Sequence, residues 1–213
     1  MHSLFVYIPK WFQKLFSDVT WSIDTEKKEL FLTFDDGPTP EITEWILDEL
    51  ATYNAKATFF CIGKNIEAHP ELFQKIIAAG HRIGNHTFNH LNGWKVSVQD
   101  YHNSIKKTQL FIDRYELPNK TPIFRPPYGK ISPFQIRKLN TQNYQIVLWN
   151  VLSGDFSIKI STKTCTKNVI KNSKKGSIIV FHDSLKAAQN MQASLPKVLA
   201  HFTQKGYTFS KLP

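Results

Sequence analysis

Two histidines, His86 and His90, stand four residues apart, and two adjacent carboxylates, Asp35 and Asp36, stand immediately before Gly37-Pro38. Histidines at i and i+4 on a helix put both imidazoles on one face, within reach of a single ion. With one Asp or Glu added, they make a set of three protein ligands that leaves a coordination position open for water. That is the catalytic rather than the structural kind of zinc site. Adjacent carboxylates could then divide two roles, one on the metal and one taking a proton from the water. Each piece also has a plain structural reading: two unrelated surface histidines, and a turn or helix N-cap, since Asp-Gly-Pro is strong turn chemistry.

Placement argues for the chemical reading. Seven short apolar runs, at 30–34, 57–62, 82–84, 123–124, 145–149, 177–181 and 207–209, are continuous rather than alternating, as buried parallel strands are. Asp35-Asp36-Gly37-Pro38 follows the first run, and the stretch from Asn85 to His90 follows the third. Arg125-Pro126-Pro127-Tyr128-Gly129 follows the fourth, Ser153-Gly154-Asp155-Phe156 trails the fifth, and His182-Asp183 follows the sixth. In parallel α/β folds, ligands and catalytic groups gather at the carboxyl ends of strands.

Amphipathic helical patterns separate most of these runs. Residues 41–53 carry Ile42, Trp45, Ile46, Leu50 and Tyr53 on one face; 97–115 opens with a capping-type Ser97 and Asp100; Leu195, Val198, Leu199 and Phe202 form a last stripe that Gly206 ends. The chain has no linker-like break and no internal repeat. The fold expected is α/β, a distorted (β/α) barrel of about seven parallel strands in a single domain. An N-terminal helical extension, residues 1–27, is expected to pack on a catalytic domain of residues 28–213.

Composition narrows the classes further. With 213 residues, 41% of them hydrophobic, the chain can bury a core without staples. Its two cysteines, Cys61 and Cys165, are too few for a disulfide framework. No stretch has the ~18 apolar residues of a membrane span. The net charge of +10 favours anionic company, but the lysines come in scattered pairs, so nucleic acid is not the expected partner. The apolar run 4–8 ends at Pro9, and residues 11–16 form a short, basic, aromatic-rich helix candidate that would pack over the core or lie on an anionic surface. The chain lacks a signal peptide's order of charge, apolar stretch and cleavage site. Localisation is left open between cytoplasmic by default and peripheral at the cell envelope.

Together these segments resemble the polysaccharide deacetylase family (carbohydrate esterase family 4), whose shared region is the NodB-homology domain. The resemblance rests on Thr33-Phe34-Asp35-Asp36-Gly37-Pro38, His86-Thr87-Phe88-Asn89-His90, Arg125-Pro126-Pro127-Tyr128 and the apolar run ending in His182-Asp183. It runs from about residue 28 to the carboxyl end. It implies a metal-dependent hydrolase that removes acetyl from N-acetylated sugars of a chitin-like or peptidoglycan polymer. By the same resemblance Asp36, His86 and His90 hold the metal, Asp35 is the general base, His182 the general acid, Arg125 orients Asp35, and Asp155 pairs with His182. Tyr128, through its backbone N–H, and Pro127, Phe156 and Val180 would contact substrate, the last two as an acetyl-methyl pocket. Zinc is the expected metal, with cobalt, nickel or manganese also suited to such ligands.

Two departures from the family pattern stand out. Leu152 and Phe156 occupy positions where the family often has an acid and a tryptophan, and Leu91-Asn92-Gly93-Trp94 follows the second histidine where a proline is expected. The alternatives to the expected activity are a glycan-binding barrel with weak catalysis, and a deacetylase of O-acetyl or small-molecule substrates. Oligomeric state is not legible.

Overall fold

The structure, a computed structural model, describes residues 6–14, 16–115 and 121–213. Short runs of branched and aromatic residues form β1 (Glu29–Asp35), β2 (Ala57–Cys61), β3 (Arg82–Asn85), β4 (Ile123–Phe124), β5 (Gln145–Ile146), β6 (Val151–Leu152), β7 (Ile178–His182) and β8 (Thr208–Phe209). The helices are α1 (Lys10–Lys14), α2 (Ile42–Thr52), α3 (Gly63–Ala68), α4 (Pro70–Ala78), α5 (Val98–Ile112), α6 (Pro133–Asn140), α7 (Thr162–Asn172) and α8 (Ala188–Gln204). Local chemistry starts several of them. Ser97 Oγ accepts from the Asp100 N–H at 3.0 Å to open α5, and Ser132 and Gln135 cap α6 reciprocally with Pro133 in its first turn.

The strands form one parallel sheet in the order β5-β4-β3-β2-β1-β7-β6, with β8 pairing beside the start of β1. Alternation along β1 divides the core in two. Leu30, Leu32 and Phe34 point outward into a layer shared with Ile46 and Leu50 of α2 and Leu195, Val198 and Leu199 of α8. Phe31 points inward to meet Phe60, Ile123, Ile178 and Leu212 inside the curl. Each such large side chain, fully buried, contributes roughly 1.5–3 kcal/mol. The inward positions that follow on β1, Thr33 and Asp35, are polar, so the apolar filling ends where the strands end.

Of the run expected as one strand over 145–149, only Gln145 and Ile146 form β5; β6 begins beyond the run, at Val151, on the opposite edge of the sheet. The cause lies in residues 147–150. The Val147 N–H still donates to Phe124 O, but the carbonyls of Val147 and Leu148 accept the buried guanidinium of Arg125 and the Leu148 N–H donates to Thr20 O, so the pairing with β4 ends there. The five residue steps from Ile146 to Val151 reach at most ~17 Å, so the sheet must curl until its two edges nearly meet. The result is a distorted, incompletely closed barrel. The residues before β1 line that seam: Tyr7 bridges Val151, Thr20 bridges Val147 and Ser22 bridges Ser177. Of the apolar run 4–8 and the helix candidate 11–16, residues 4, 5 and 15 lie outside the described residues. No helix among the described residues is long and apolar enough to cross a membrane.

Candidate active site

The polar residues converge on the rim formed by the carboxyl ends of the strands. Asp35 is the last residue of β1 and His182 the last of β7; His86 and Arg125 each follow a strand directly. One oxygen of Asp36 and one ring nitrogen each from His86 and His90 lie within 4.8 Å of one another. Asp36 Oδ1 stands 3.1 Å from His90 Nε2 and 3.7 Å from His86 Nε2. It is buried and has no well-formed hydrogen bond, which is what an oxygen prepared for a cation looks like.

The second nitrogen of each imidazole is engaged elsewhere. His86 Nδ1 lies 2.8 Å from the Arg125 carbonyl, an acceptor only, so Nδ1 carries the proton and Nε2 presents a lone pair to the site. Burial lowers the His86 pKa to about 4 against the charges of Asp35 and Asp36, which keeps that ring neutral and able to ligate. His90 Nδ1 meets Tyr128 Oη at 3.1 Å. Burial pushes the Asp36 carboxyl up, but contact with His90 and the charges of His182 and His86 outweigh it and hold the group below the usual carboxylate range. These residues fit a divalent cation in charge, tautomer and donor type.

The spacing of His86 and His90 suggests a helix, and here the structure corrects the reading. Residues 86–90 form no helix; they are a loop in which Thr87 (φ 64°) and His90 (φ 54°) adopt left-handed backbone. The loop is held by its own bonds: Thr87 N–H to Asn85 Oδ1, Leu91 N–H to Thr87 Oγ1, and the Thr87 and Phe88 carbonyls accepting from Gly63 and Lys64 at the start of α3. Asp36 (φ 86°) and Tyr128 (φ 60°) share the left-handed conformation, so four of the seven described non-glycine residues with positive φ lie at this site. Such backbone costs on the order of 1–3 kcal/mol per residue and persists where its surroundings over-determine it.

On one side of the cluster Asp35 Oδ1 accepts from Arg125 Nη1 at 2.7 Å. Arg125 is wholly buried and its guanidinium also donates to Thr33 Oγ1, Val147 O and Leu148 O. It lies against the Phe60 ring, 4.0 Å from the centroid. On the other side His182 Nδ1 meets Asp155 Oδ1 at 2.8 Å, while the His182 N–H donates to Asp155 Oδ2 at 2.7 Å. Burial would lower the His182 pKa, but the charge and hydrogen bond of Asp155, then the charges of Asp36 and Asp35, raise it to about 9.

Among the residues expected at substrate, Tyr128 is exposed and Pro127 is buried in the same 3₁₀ turn. The Phe156 ring stands edge-on to His182 with centroids 5.0 Å apart. Val180 shares the inward face of β7 with His182, and Leu152 is its partner across the sheet.

Asp183, the residue that closes the His182-Asp183 motif, has a structural part that its position in sequence does not disclose. Its Oδ1 accepts from the Gly37 N–H at 2.9 Å and its Oδ2 from Thr43 Oγ1 at 2.7 Å, so it fastens the turn that carries Asp36. A Cβ at position 37 would fall 1.7 Å from the Asp183 carboxylate, which requires glycine there. Asn65 braces the same turn by donating to Asp36 O at 2.7 Å. The local signal for these positions was only Asp-Gly-Pro, because their partners are remote in sequence.

Comparison with known proteins settles the family. The family model described as polysaccharide deacetylase matches residues 22–147, a span that includes the Asp36, His86 and His90 cluster, Asp35 and Arg125. The chain belongs to the polysaccharide deacetylase family. It is a hydrolase of the polysaccharide N-deacetylase class, in a family that depends on metal. It is 42% identical over 191 residues to a peptidoglycan-N-acetylglucosamine deacetylase of Bacillus cereus, covering 88% of this chain and 68% of that protein. A second Bacillus cereus protein of the same name is 35% identical over 194 residues, covering 90% and 89%. The solved structure of a peptidoglycan N-acetylglucosamine deacetylase in complex with 4-naphthalen-1-yl-N-oxidanyl-benzamide superposes with a TM-score of 0.88 at 37% identity, covering 97% of this chain and 96% of that one.

Proposed function

We propose that this deacetylase-family protein hydrolyses the acetamido group of N-acetylglucosamine units in peptidoglycan, with zinc held by Asp36, His86 and His90. The observation that carries the reading is the flanking of the candidate metal cluster by two unlike carboxylate–cation pairs, Asp35 with Arg125 and Asp155 with His182. A divalent ion there supplies Lewis acidity, lowering the pKa of a water and polarising an acyl oxygen.

The chain's own residues do the rest. Asp35, held by Arg125 with one oxygen engaged, uses its other oxygen to take the proton from the attacking water. The Tyr128 N–H, presented by the left-handed turn, donates to the developing oxyanion. His182 is cationic at neutral pH because Asp155 holds its Nδ1 proton, and it delivers a proton from Nε2 to the departing amine nitrogen. Phe156 beside the imidazole and Val180 on the strand below it provide the apolar surface for the acetyl methyl. Leu152, next to Val180, continues that surface where an acid would interrupt it.

The test is acetate release from N-acetylglucosamine oligomers and peptidoglycan by metal-stripped protein and by protein reloaded with zinc, cobalt, nickel or manganese. Release restored by zinc, with peptidoglycan the best substrate, is the expected result. Metal binding without release from any N-acetylated glycan overturns the reading in favour of an O-acetyl or small-molecule substrate, or of a glycan-binding barrel.

A further inference from the structure

The proposed chemistry leaves unused the stretch that follows the second histidine, Leu91-Asn92-Gly93-Trp94. Trp94 is 67% exposed, an unusual position for so large an apolar ring. It is nevertheless held in place. Asn92 Oδ1 accepts from the Trp94 N–H at 3.0 Å, and the indole N–H donates to Ile131 O at 3.2 Å. The Lys130 ammonium stands 5.2 Å from the ring centroid.

Two contacts make this segment continuous with the catalytic rim. Gly93 lies so close to the chain at residue 130 that a Cβ there would fall 2.5 Å from the Lys130 carbonyl, and its own carbonyl accepts from the Gln135 side chain. Tyr128, two residues before Lys130, contacts His90 through its hydroxyl and is itself 61% exposed. Tyr128 beside His90 and Trp94 beyond it are thus two exposed aromatic rings, joined through the close approach of Gly93 to Lys130.

We infer that Trp94 and Lys130 form a glycan subsite for the strand as it leaves the reaction centre. The apolar face of a neighbouring sugar stacks on the indole, and the ammonium takes a carboxylate carried on the muramyl unit's lactyl-peptide branch. A ring already fixed by its N–H loses little freedom when a sugar covers it. The subsite rests on the proposed function for the identity of the strand, and it sets preference for chain length and charge rather than the chemical step.

Turnover of the dimer and the hexamer of N-acetylglucosamine by metal-loaded wild type, Trp94→Phe and Trp94→Ala decides it. Trp94→Ala is expected to lower the hexamer-to-dimer ratio of kcat/KM about tenfold, equivalent to ~1.4 kcal/mol, through KM on the hexamer. Trp94→Phe retains most of the ratio. An unchanged ratio, or equal losses on both substrates, overturns the subsite. Failure of wild type to release acetate from either oligomer and from peptidoglycan instead overturns the proposed function. Calorimetric titration with the hexamer then reads the subsite alone: about tenfold weaker binding to Trp94→Ala supports it, while equal affinities, or no binding by wild type, defeat it. Lys130→Gln is expected to weaken peptidoglycan fragments and not the neutral hexamer; the same effect on both removes the carboxylate contact.

Discussion

The two carboxylate–cation pairs beside the candidate metal cluster have nearly the same length, 2.7 Å for Asp35 with Arg125 and 2.8 Å for Asp155 with His182, yet under the proposed function they serve opposite tasks. Arg125 is sealed, touches four acceptors and stays protonated throughout the working pH range, so it can only fix the position and charge of Asp35. His182 keeps 15% of its side chain exposed at the rim and titrates at about 9, so its proton can leave and return. A carboxylate beside a cation that cannot titrate is set up as a base. A cation that can titrate, beside a carboxylate, is set up as an acid. Burial depth and the identity of the cation, rather than the contact distance, make the difference.

The sharpest way to break the contrast is to remove each proton carrier. Asp35→Asn and His182→Ala should each lower turnover ~10²–10⁴-fold with metal content unchanged. Near-native acetate release by either variant removes that residue from the acid–base assignment. Arg125→Ala should act on stability as well, since it strands the Asp35 charge and opens a cavity; ~3–5 kcal/mol lost in chemical denaturation is expected. A loss below 1 kcal/mol would mean the pair is not the fixed scaffold described.

Asp155→Asn should cost less, ~1.5–3 kcal/mol, as the loss of a hydrogen bond between charged groups. Its distinguishing effect is on pH dependence. Because folding raises the His182 pKa from 6.5 to about 9, the protonated ring is favoured. Its contribution to stability is therefore complete below about 6.5 and is lost as pH climbs through about 9. Activity that needs the proton falls over the same alkaline range. With Asp155 neutral, burial is less opposed and the alkaline limb of kcat should move to lower pH; an unmoved limb means another group supplies the proton. The smallest change expected is from Tyr128→Phe, which removes only the hydroxyl on His90. Metal affinity should weaken about tenfold, the low end for a group supporting a ligand, as read by competition with a chelator.

Much of the site was legible before the structure because its residues sit at strand ends, and continuous apolar runs announce buried parallel strands. Asp35, Arg125 and His182 each follow such a run, and the structure brings them to one rim. The helical reading of His86 and His90 missed the backbone, although the structure does bring both rings beside Asp36. A four-residue interval also fits a loop, and the left-handed turns at Thr87 and His90 depend on bonds to Asn85 and α3 that periodicity does not register. The early end of β5 was hidden for a similar reason, since what takes the Val147 and Leu148 carbonyls from the ladder is an arginine side chain arriving from residue 125.

The sequence by itself determined the alternation of strand and helix, the side of the sheet where the chemistry would collect, and the kinds of group available there. Those are local properties, written in the spacing of apolar residues and in side-chain type. Only the tertiary structure decided which nitrogen of His86 faces the cluster, that Arg125 is sealed while His182 reaches the rim, and that Asp183 and Asn65 brace the turn bearing Asp36. Each of these is a contact between residues far apart in the chain. Protonation, strain and burial follow from the surroundings such contacts create, and no window of sequence contains both partners.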